Sequence, residues 1–229
     1  MSHTYYQLPH GRIANIEGDC AFPPLSAALA EPNGLLAIGG DLSVARLLSA
    51  YQQGIFPWFS EGEPVMWWSP NPRMVLFPNE LKISNSLKKT LKNSSFEIRF
   101  NSAFHQVISA CRHTARAGQP GTWITSDIIE AYCSLHQAGY AISMESWLNN
   151  QLVGGCYGIK IGRMFYGESM FHHVTDASKV ALVHLVKYLQ SQGVGLIDCQ
   201  MKTPLLASFG GREIPRDKLM QQLLKLIEF

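Results

Sequence analysis

The sequence lacks the patterns that mark disulfide-rich, membrane-spanning and exported proteins. Its cysteines are few, odd in number and widely separated, at Cys20, Cys111, Cys133, Cys156 and Cys199. They form none of the close pairs used by disulfide frameworks, zinc sites or redox motifs, so we expect a reducing compartment. No stretch approaches the roughly 20 consecutive apolar residues of a membrane-spanning helix. Residues 1–11 show no basic start followed by an apolar run, and we expect a cytoplasmic protein without a membrane partner.

Strong charge is also absent, since only 16% of the 229 residues are charged and the formal net charge is +2. The hydrophobic fraction of 46% is enough for a full core. The slight positive excess permits an RNA partner without requiring one. The histidines have no metal-type spacing, and Gly39-Gly40 and Gly154-Gly155 lack the strand and helix of a phosphate-binding loop. We therefore expect no metal and no bound cofactor.

The spacing of apolar and turn-forming residues predicts an α/β (α+β) fold. The proline- and glycine-rich residues 1–72 are predicted to form a small domain with short regular elements. One helix is expected there, capped by Asp41 or Ser43 and ending before Gly54. Residues 73–229 are predicted to form a second, larger domain.

The larger domain has a regular succession of predicted elements. Its first half is expected to hold a strand at 74–77, a basic helix at 84–92, a strand at 96–100, a helix capped by Asn101 or Ser102 that runs to about Arg116, a strand-like segment at 121–124, and a helix that starts with Asp127 and Glu130 and stops at Gly139. Its second half is expected to hold a three-stranded meander at 141–148, 152–159 and 164–170, a helix from near Asp176 to Gly193, and a strand at 194–199. A meander, a crossover helix and a returning strand occur in this order at the centre of the acetyltransferase-like fold.

Three features could carry chemistry, and each also has a purely structural interpretation. Asp198 and Gln200 end an apolar strand, where ligand sites of open α/β sheets lie, but they could equally bond loop amides. Glu168 closes another apolar strand and must be paired or solvated. The aromatic residues between Tyr51 and Trp68, with Trp123, could stack on bases or form the core of a loop-rich domain.

A fourth feature is a group of lysines that suits a phosphate backbone. Lys88, Lys89 and Lys92 share one helix face, within reach of Lys82. A solvated helix face is the commoner meaning of such a pattern.

Six segments together resemble one family. They are EPNGLLAIGGDLS (31–43), YQQGIFPWF (51–59), WWSPNPR (67–73), GTWI (121–124), GESMF (167–171) and IDCQ (197–200). In this order they are similar to the leucyl/phenylalanyl-tRNA–protein transferases of bacteria, and the resemblance covers residues 31 to 216.

The resemblance implies an aminoacyltransferase with an acetyltransferase-like second domain. Its substrates would be Leu-tRNA and Phe-tRNA, and less readily Met-tRNA, with acceptor proteins that begin with Arg or Lys and are thereby marked for degradation by the N-end rule pathway. Asp198 and Gln200 would be the catalytic pair, with Glu168 in support. Nothing demands a partner subunit, and we expect a monomer.

The resemblance also assigns residues to substrate binding. Tyr51 and Trp58 would bracket the terminal adenosine, and Trp123 would shape the same site. The lysine helix would contact the tRNA acceptor stem. The apolar aminoacyl pocket would be formed by Cys156, Phe165, Leu182, Leu185 and Ile197.

One position departs from the family pattern, because Leu205 stands where a histidine usually follows the glutamine by five residues. Two other functions stay open. An acyl-CoA-dependent acyltransferase would need a glycine-rich loop at the start of the predicted helix, but residues 172–178 contain no glycine. A non-catalytic RNA-binding protein would use the aromatic residues and lysines and would not need Asp198 or Gln200.

Overall fold

The computed structural model describes residues 4–18, 20–114 and 122–227. It confirms the α/β class, because helices cover two mixed sheets. The first sheet has the order β1-β2-β3-β5-β4. Its strands are β1 (Thr4–Leu8), β2 (Gly11–Asn15), β3 (Leu35–Ile38), β4 (Phe56–Pro57) and β5 (Met66–Trp68). The sequence pattern predicted short elements here, but not the hairpin of β1 and β2. The division into domains at residue 72 stays a prediction.

The helix predicted in this part of the chain is α1 (Val44–Tyr51). Its cap is Ser43, whose hydroxyl accepts a hydrogen bond from the Arg46 amide at 3.3 Å. Asp41 instead accepts from the Ser43 amide at 2.8 Å. Ser43 therefore caps the helix, and Asp41 binds the backbone of that cap.

The second sheet has the order β12-β6-β11-β10-β9-β8-β7. Its strands are β6 (Arg73–Leu76), β7 (Glu97–Phe100), β8 (Ala141–Leu148), β9 (Gln151–Ile161), β10 (Met164–His172), β11 (Leu196–Asp198) and β12 (Arg212–Ile214). The predicted meander is confirmed as β8, β9 and β10, which pair antiparallel. The returning strand β11 pairs parallel with β10 after the crossover helix.

The helices of this part largely follow the predicted order. They are α2 (Asn85–Asn93), α3 (Phe104–His113), α4 (Ser126–Gln137), α5 (Ala177–Ser191), α6 (Pro204–Ser208) and α7 (Arg216–Ile227). The helix α5 is the predicted crossover. The sequence pattern did not predict α6, β12 or α7.

Three local predictions were wrong. The cap of α4 is Thr125, which accepts from the Ile128 amide at 3.3 Å, rather than Asp127. Residues 122–125 form an irregular segment and no strand. The N-cap position of α3 is Ala103, which has no side-chain cap, rather than Asn101 or Ser102. The predicted end of this helix at Arg116, and Gly121, lie outside the described residues.

The start of α3 is held by a carboxylate from another element. Glu145 of β8 is 0% exposed and accepts from the Ala103 amide at 2.9 Å, the Ser143 hydroxyl at 2.8 Å and the Trp147 indole at 3.1 Å. The Ser102 hydroxyl also donates to it. The predicted cap Ser102 therefore contributes to a tertiary contact, which a local pattern cannot reveal.

The strand β10 bulges near its middle, where the site lies. The pairing with β9 shifts between Gly167, opposite Gly158, and Ser169, opposite Tyr157, so Glu168 is the extra residue. Bulges redirect side chains out of the strand alternation. A Cβ at Gly158 would meet the Tyr166 carbonyl oxygen at 2.1 Å, so glycine permits the close approach of the two strands here.

Removal of the Glu145 carboxylate should destabilise the fold. Glu145→Ala leaves several buried donors without an acceptor, and we expect a loss of about 3 kcal/mol in the free energy of unfolding. Urea denaturation at pH 7 measures it. The control Glu97→Ala removes an exposed carboxylate that pairs with Arg99 on the same strand, and its midpoint should not move. Equal midpoints for both variants would contradict the role given to Glu145.

Candidate active site

A cavity of about 390 Å³ opens beside the middle of β10 and the end of β11, and its walls are mostly apolar. Many residues predicted for the site line it: Trp58, Trp123, Cys156, Phe165, Glu168, Leu182, Leu185, Ile197 and Gln200. The strands bring Cys156, Phe165 and Ile197 to one wall, and α5 supplies Leu182 and Leu185. These residues therefore line one continuous space, and its use for an aminoacyl group stays a prediction.

Glu168 is the only formally charged residue among those described that line the cavity. Three side chains donate to its carboxylate: the Tyr51 hydroxyl at 2.8 Å, the Tyr132 hydroxyl at 3.3 Å and the Gln200 amide at 3.1 Å. Burial raises the pKa of Glu168 to about 7, although the two tyrosine hydrogen bonds oppose this shift. The carboxyl group is therefore able to exchange a proton near neutral pH.

The two tyrosines form a fixed support for Glu168. Their hydroxyl groups also contact each other, and both side chains are fully buried. Burial, followed by the Glu168 charge, raises the pKa of Tyr51 and of Tyr132 well above the usual value. Both phenols therefore stay protonated and act as donors.

Gln200 has an unusual backbone conformation that places its side chain beside Glu168. Its φ is 56°, a left-handed value that costs free energy for a residue other than glycine. Its backbone amide donates to Asp198 Oδ1 at 3.0 Å. Because its side-chain nitrogen donates to Glu168, its side-chain oxygen is the atom available to accept from a substrate.

Asp198 is buried behind the cavity and faces a cation of the protein itself. Arg73 donates to both of its carboxylate oxygens, at 2.8 and 2.7 Å, and the two residues are 1% and 0% exposed. The Arg73 guanidinium also donates to the Gly54 carbonyl at 3.1 Å and lies 4.8 Å from the Phe56 ring centroid. A direct role of Asp198 on the substrate stays a prediction.

Tyr51 also lies behind the wall, at 1% exposure, with its ring 4.9 Å from that of Tyr166. Trp58 and Trp123 line the cavity and are half-buried. The Trp68 indole fixes the Trp58 carbonyl with a hydrogen bond of 2.7 Å. The two tryptophans therefore present aromatic surface to a ligand, whereas Tyr51 presents its hydroxyl to Glu168.

The predicted lysines lie on one helix and just before it. Lys88, Lys89 and Lys92 are exposed on α2, and Lys82 precedes this helix, with its backbone amide donating to the Phe209 carbonyl. The helix is attached to the start of α5 through Thr90, which donates to Asp176 at 3.2 Å. A role of all four lysines on a phosphate backbone stays a prediction.

Sequence reasoning missed Arg73 and Tyr132. Arg73 ends one of the quoted segments, but nothing local indicated that its charge would be buried. Tyr132 lies on the apolar face of α4 among core positions, so its pattern indicated only packing. Phe56 and Met170 also line the cavity without having been singled out individually for it.

The start of α5 packs tightly on β9 and carries a carboxylate, which argues against the acyl-CoA alternative. A Cβ at Gly154 of β9 would meet Ala177 Cβ at 2.5 Å and the Ser178 amide nitrogen at 2.9 Å, so strand and helix are already in contact. Asp176, which precedes the helix, binds Lys179 at 2.8 Å. Interaction with Lys179 lowers the pKa of Asp176, and its negative charge would repel an anion there.

Two absences among the described residues bear on other classes of site. No group of histidine, cysteine, aspartate and glutamate side chains in this part of the chain is arranged to hold a metal ion. None of the helices described is both long and apolar enough to cross a membrane.

Comparison with known proteins identifies close relatives. Residues 75–224 match the family model described as leucyl/phenylalanyl-tRNA protein transferase, and residues 40–71 match that of its N-terminal domain. A leucyl/phenylalanyl-tRNA–protein transferase of Chromobacterium violaceum is 61% identical over 202 residues, which are 88% of this chain and 86% of the relative. One from Nitrosomonas eutropha is 60% identical over 216 residues, 94% and 92% of the two chains.

Solved structures show more distant similarity. A functionally unknown conserved protein from Staphylococcus epidermidis gives a TM-score of 0.44 at 9% identity, over 79% of this chain and 68% of that one. A GCN5-related N-acetyltransferase from Kribbella flavida gives 0.40 at 8% identity, over 72% and 59%.

The raised pKa of Glu168 should appear in the pH dependence of stability. The folded state binds this proton up to a pH of about 7, whereas the unfolded chain releases it near 4.5. The Glu168 contribution to stability is therefore present below pH 4.5 and is lost as the pH rises through 7, by about 3 kcal/mol. Glu168→Gln should remove this loss.

Urea denaturation at pH 5 and pH 8 tests the shift. The matched control is Glu130→Gln, which removes an exposed carboxyl of α4. If wild type and Glu168→Gln lose the same free energy of unfolding between the two pH values, the pKa of Glu168 is not raised.

Proposed function

The chain belongs to the leucyl/phenylalanyl-tRNA–protein transferase family, and on that premise we propose that its cavity holds the aminoacyl end of a charged tRNA beside Glu168 and Gln200. The activity is aminoacyl transfer from Leu-tRNA or Phe-tRNA to acceptor proteins in the N-end rule pathway. The observation that supports the proposed site most directly is the contact of Gln200 with Glu168 at the rim of an apolar cavity.

The aminoacyl side chain would enter between β10 and α5. Phe165, Leu182 and Leu185 are buried at 1%, 9% and 2% exposure and line the cavity. They offer contact to leucine or phenylalanine and no partner for a polar side chain. A pocket of this kind separates apolar side chains by only about 1 to 3 kcal/mol per methylene, so we propose that methionine is transferred less readily but detectably.

The terminal adenosine would lie against Trp58 and Trp123. Both rings line the cavity, and stacking on an aromatic ring is the usual way in which proteins hold an unpaired base. We assign Tyr51 to Glu168 instead, because its hydroxyl is bonded there and its ring is covered. This replaces the bracket of Tyr51 and Trp58 that the resemblance implies.

The reaction needs positioning and one proton transfer. The acceptor amine attacks the ester carbonyl, a carbon–nitrogen bond forms, and the bond from that carbon to the ribose oxygen breaks. The Gln200 side-chain oxygen would accept from an amine N–H and orient the nitrogen. The ionised Glu168 would take the proton that the amine releases, and this proton would then pass to the departing ribose oxygen. Proximity supplies much of the effect, on the order of 7 to 11 kcal/mol.

We propose that acceptors begin with Arg or Lys because the cavity carries one negative group and no positive one among its described residues. The negative group attracts a cationic N-terminal residue of the acceptor and repels an acidic one. Leu205, at the position where the resemblance leads us to expect a histidine, lines the cavity, as does the 45% exposed Met201. The acceptor side of the site is therefore more apolar here.

The remaining assignments are also proposals. The exposed lysines of α2 would contact the acceptor stem. The protein would act as a monomer. It would lie in the cytoplasm, because its cysteines are free, as they are in a reducing compartment.

Transfer of radiolabelled leucine from charged tRNA to a peptide tests the function. We expect label on a peptide that begins with Arg, none on the same peptide beginning with Gly, and none after ribonuclease treatment. Leucyl-CoA in place of the tRNA is the donor control. Label from leucyl-CoA alone would show the acyl-CoA alternative, and no label from either donor would refute the transferase function.

The lysine helix is tested by the salt dependence of tRNA binding. Lys88→Ala with Lys92→Ala should weaken binding of uncharged tRNA and reduce the slope of log K against log salt by about 2, because two phosphate contacts are lost. The control is Lys218→Ala with Lys225→Ala, two exposed lysines of α7. Equal slopes for both pairs would place the tRNA elsewhere.

A further inference from the structure

We propose that Arg73 is a positioning residue for the transfer reaction, and that it acts through Asp198 on Gln200. This inference rests on the proposed function and extends it to a residue that does not touch the cavity. In it Asp198 is also a positioning residue rather than a group that meets the substrate.

The charge of Asp198 is matched by a cation of the protein itself. Its carboxylate is 0% exposed, and both oxygens accept from the Arg73 guanidinium in a paired geometry. Such a fork fixes the plane as well as the position of a carboxylate. Asp198 therefore has a resident cation and a fixed orientation before any substrate binds.

The Asp198 carboxylate in turn holds the backbone of Gln200. Asp198 Oδ1, which accepts from Arg73 Nε, also accepts from the Gln200 amide at 3.0 Å. That bond holds a residue at φ 56°, where a side chain other than glycine is strained. The ion pair therefore maintains the conformation that carries the Gln200 amide group to Glu168.

Arg73 also contacts the turn that follows α1. Its guanidinium donates to the Gly54 carbonyl and lies over the Phe56 ring. Gly54 follows α1, which carries Tyr51, a donor to Glu168. Arg73 thus joins the strand β11, which precedes Gln200, to the turn behind Tyr51.

If Arg73 had a purely structural role, its substitution would lower the stability of the protein and nothing else. If it is a positioning residue, its substitution lowers kcat even in the folded protein. We compare Arg73→Lys, which keeps the charge but not the fork, with Asp198→Asn and the double variant. All are assayed for leucine transfer to the Arg peptide at temperatures below their own unfolding transitions. We expect kcat to fall about 10- to 100-fold in each single variant, while KM for Leu-tRNA stays within about twofold because the aminoacyl pocket is intact.

The double variant tests whether the two residues act as one unit. Its kcat should be no lower than the kcat of the less active single variant, because the second substitution removes an interaction that the first has already broken. The matched control is Glu145→Gln, a buried, multiply hydrogen-bonded carboxylate in the same sheet and outside the cavity lining. It should lower the unfolding temperature and leave kcat unchanged.

The outcomes are separable. Folded single variants with wild-type kcat, an effect on KM alone, or multiplicative losses in the double variant would each overturn the inference. A wild-type protein that transfers no leucine would instead overturn the proposed function.

Discussion

The buried ion pair of Arg73 and Asp198 is the interaction on which the geometry of the site depends. It joins residues 125 positions apart in the sequence, and both charges are removed from water. A buried pair is weak evidence for stability, because desolvation opposes the attraction, but loss of one partner leaves an unmatched charge. Its consequence here is geometric: β6, β11 and the Gly54 turn are fixed relative to one another.

A second carboxylate, Glu168, has a pKa at which it can gain or lose a proton near neutral pH. Glu168 is displaced from its strand by a bulge, surrounded by apolar walls, and supplied with three donors. Burial favours its neutral form and the donors favour its charged form. The balance brings its pKa close to neutrality, which is the condition for a group that takes and returns a proton.

An α/β sheet with a crossover helix does not by itself reveal a donor substrate, because one fold can serve many functions. The start of α5 packs tightly on Gly154 of β9, and its first turn contains no glycine. The cavity is lined by apolar side chains and by two tryptophans. These local features, and not the fold class, distinguish this site.

Sequence patterns were sufficient for the α/β class and for the meander followed by a crossover helix, because alternation and helical spacing are local properties. The resemblance to the family, and not this spacing, named Phe165, Leu182 and Leu185, which line one cavity in the structure. Tertiary structure alone decided the cap of α3, the support of Glu168 by Tyr132, and the pairing of Asp198 with Arg73. These are contacts between elements distant in sequence, and the burial that gives them their energetic and chemical effect exists only once the sheets and helices have packed.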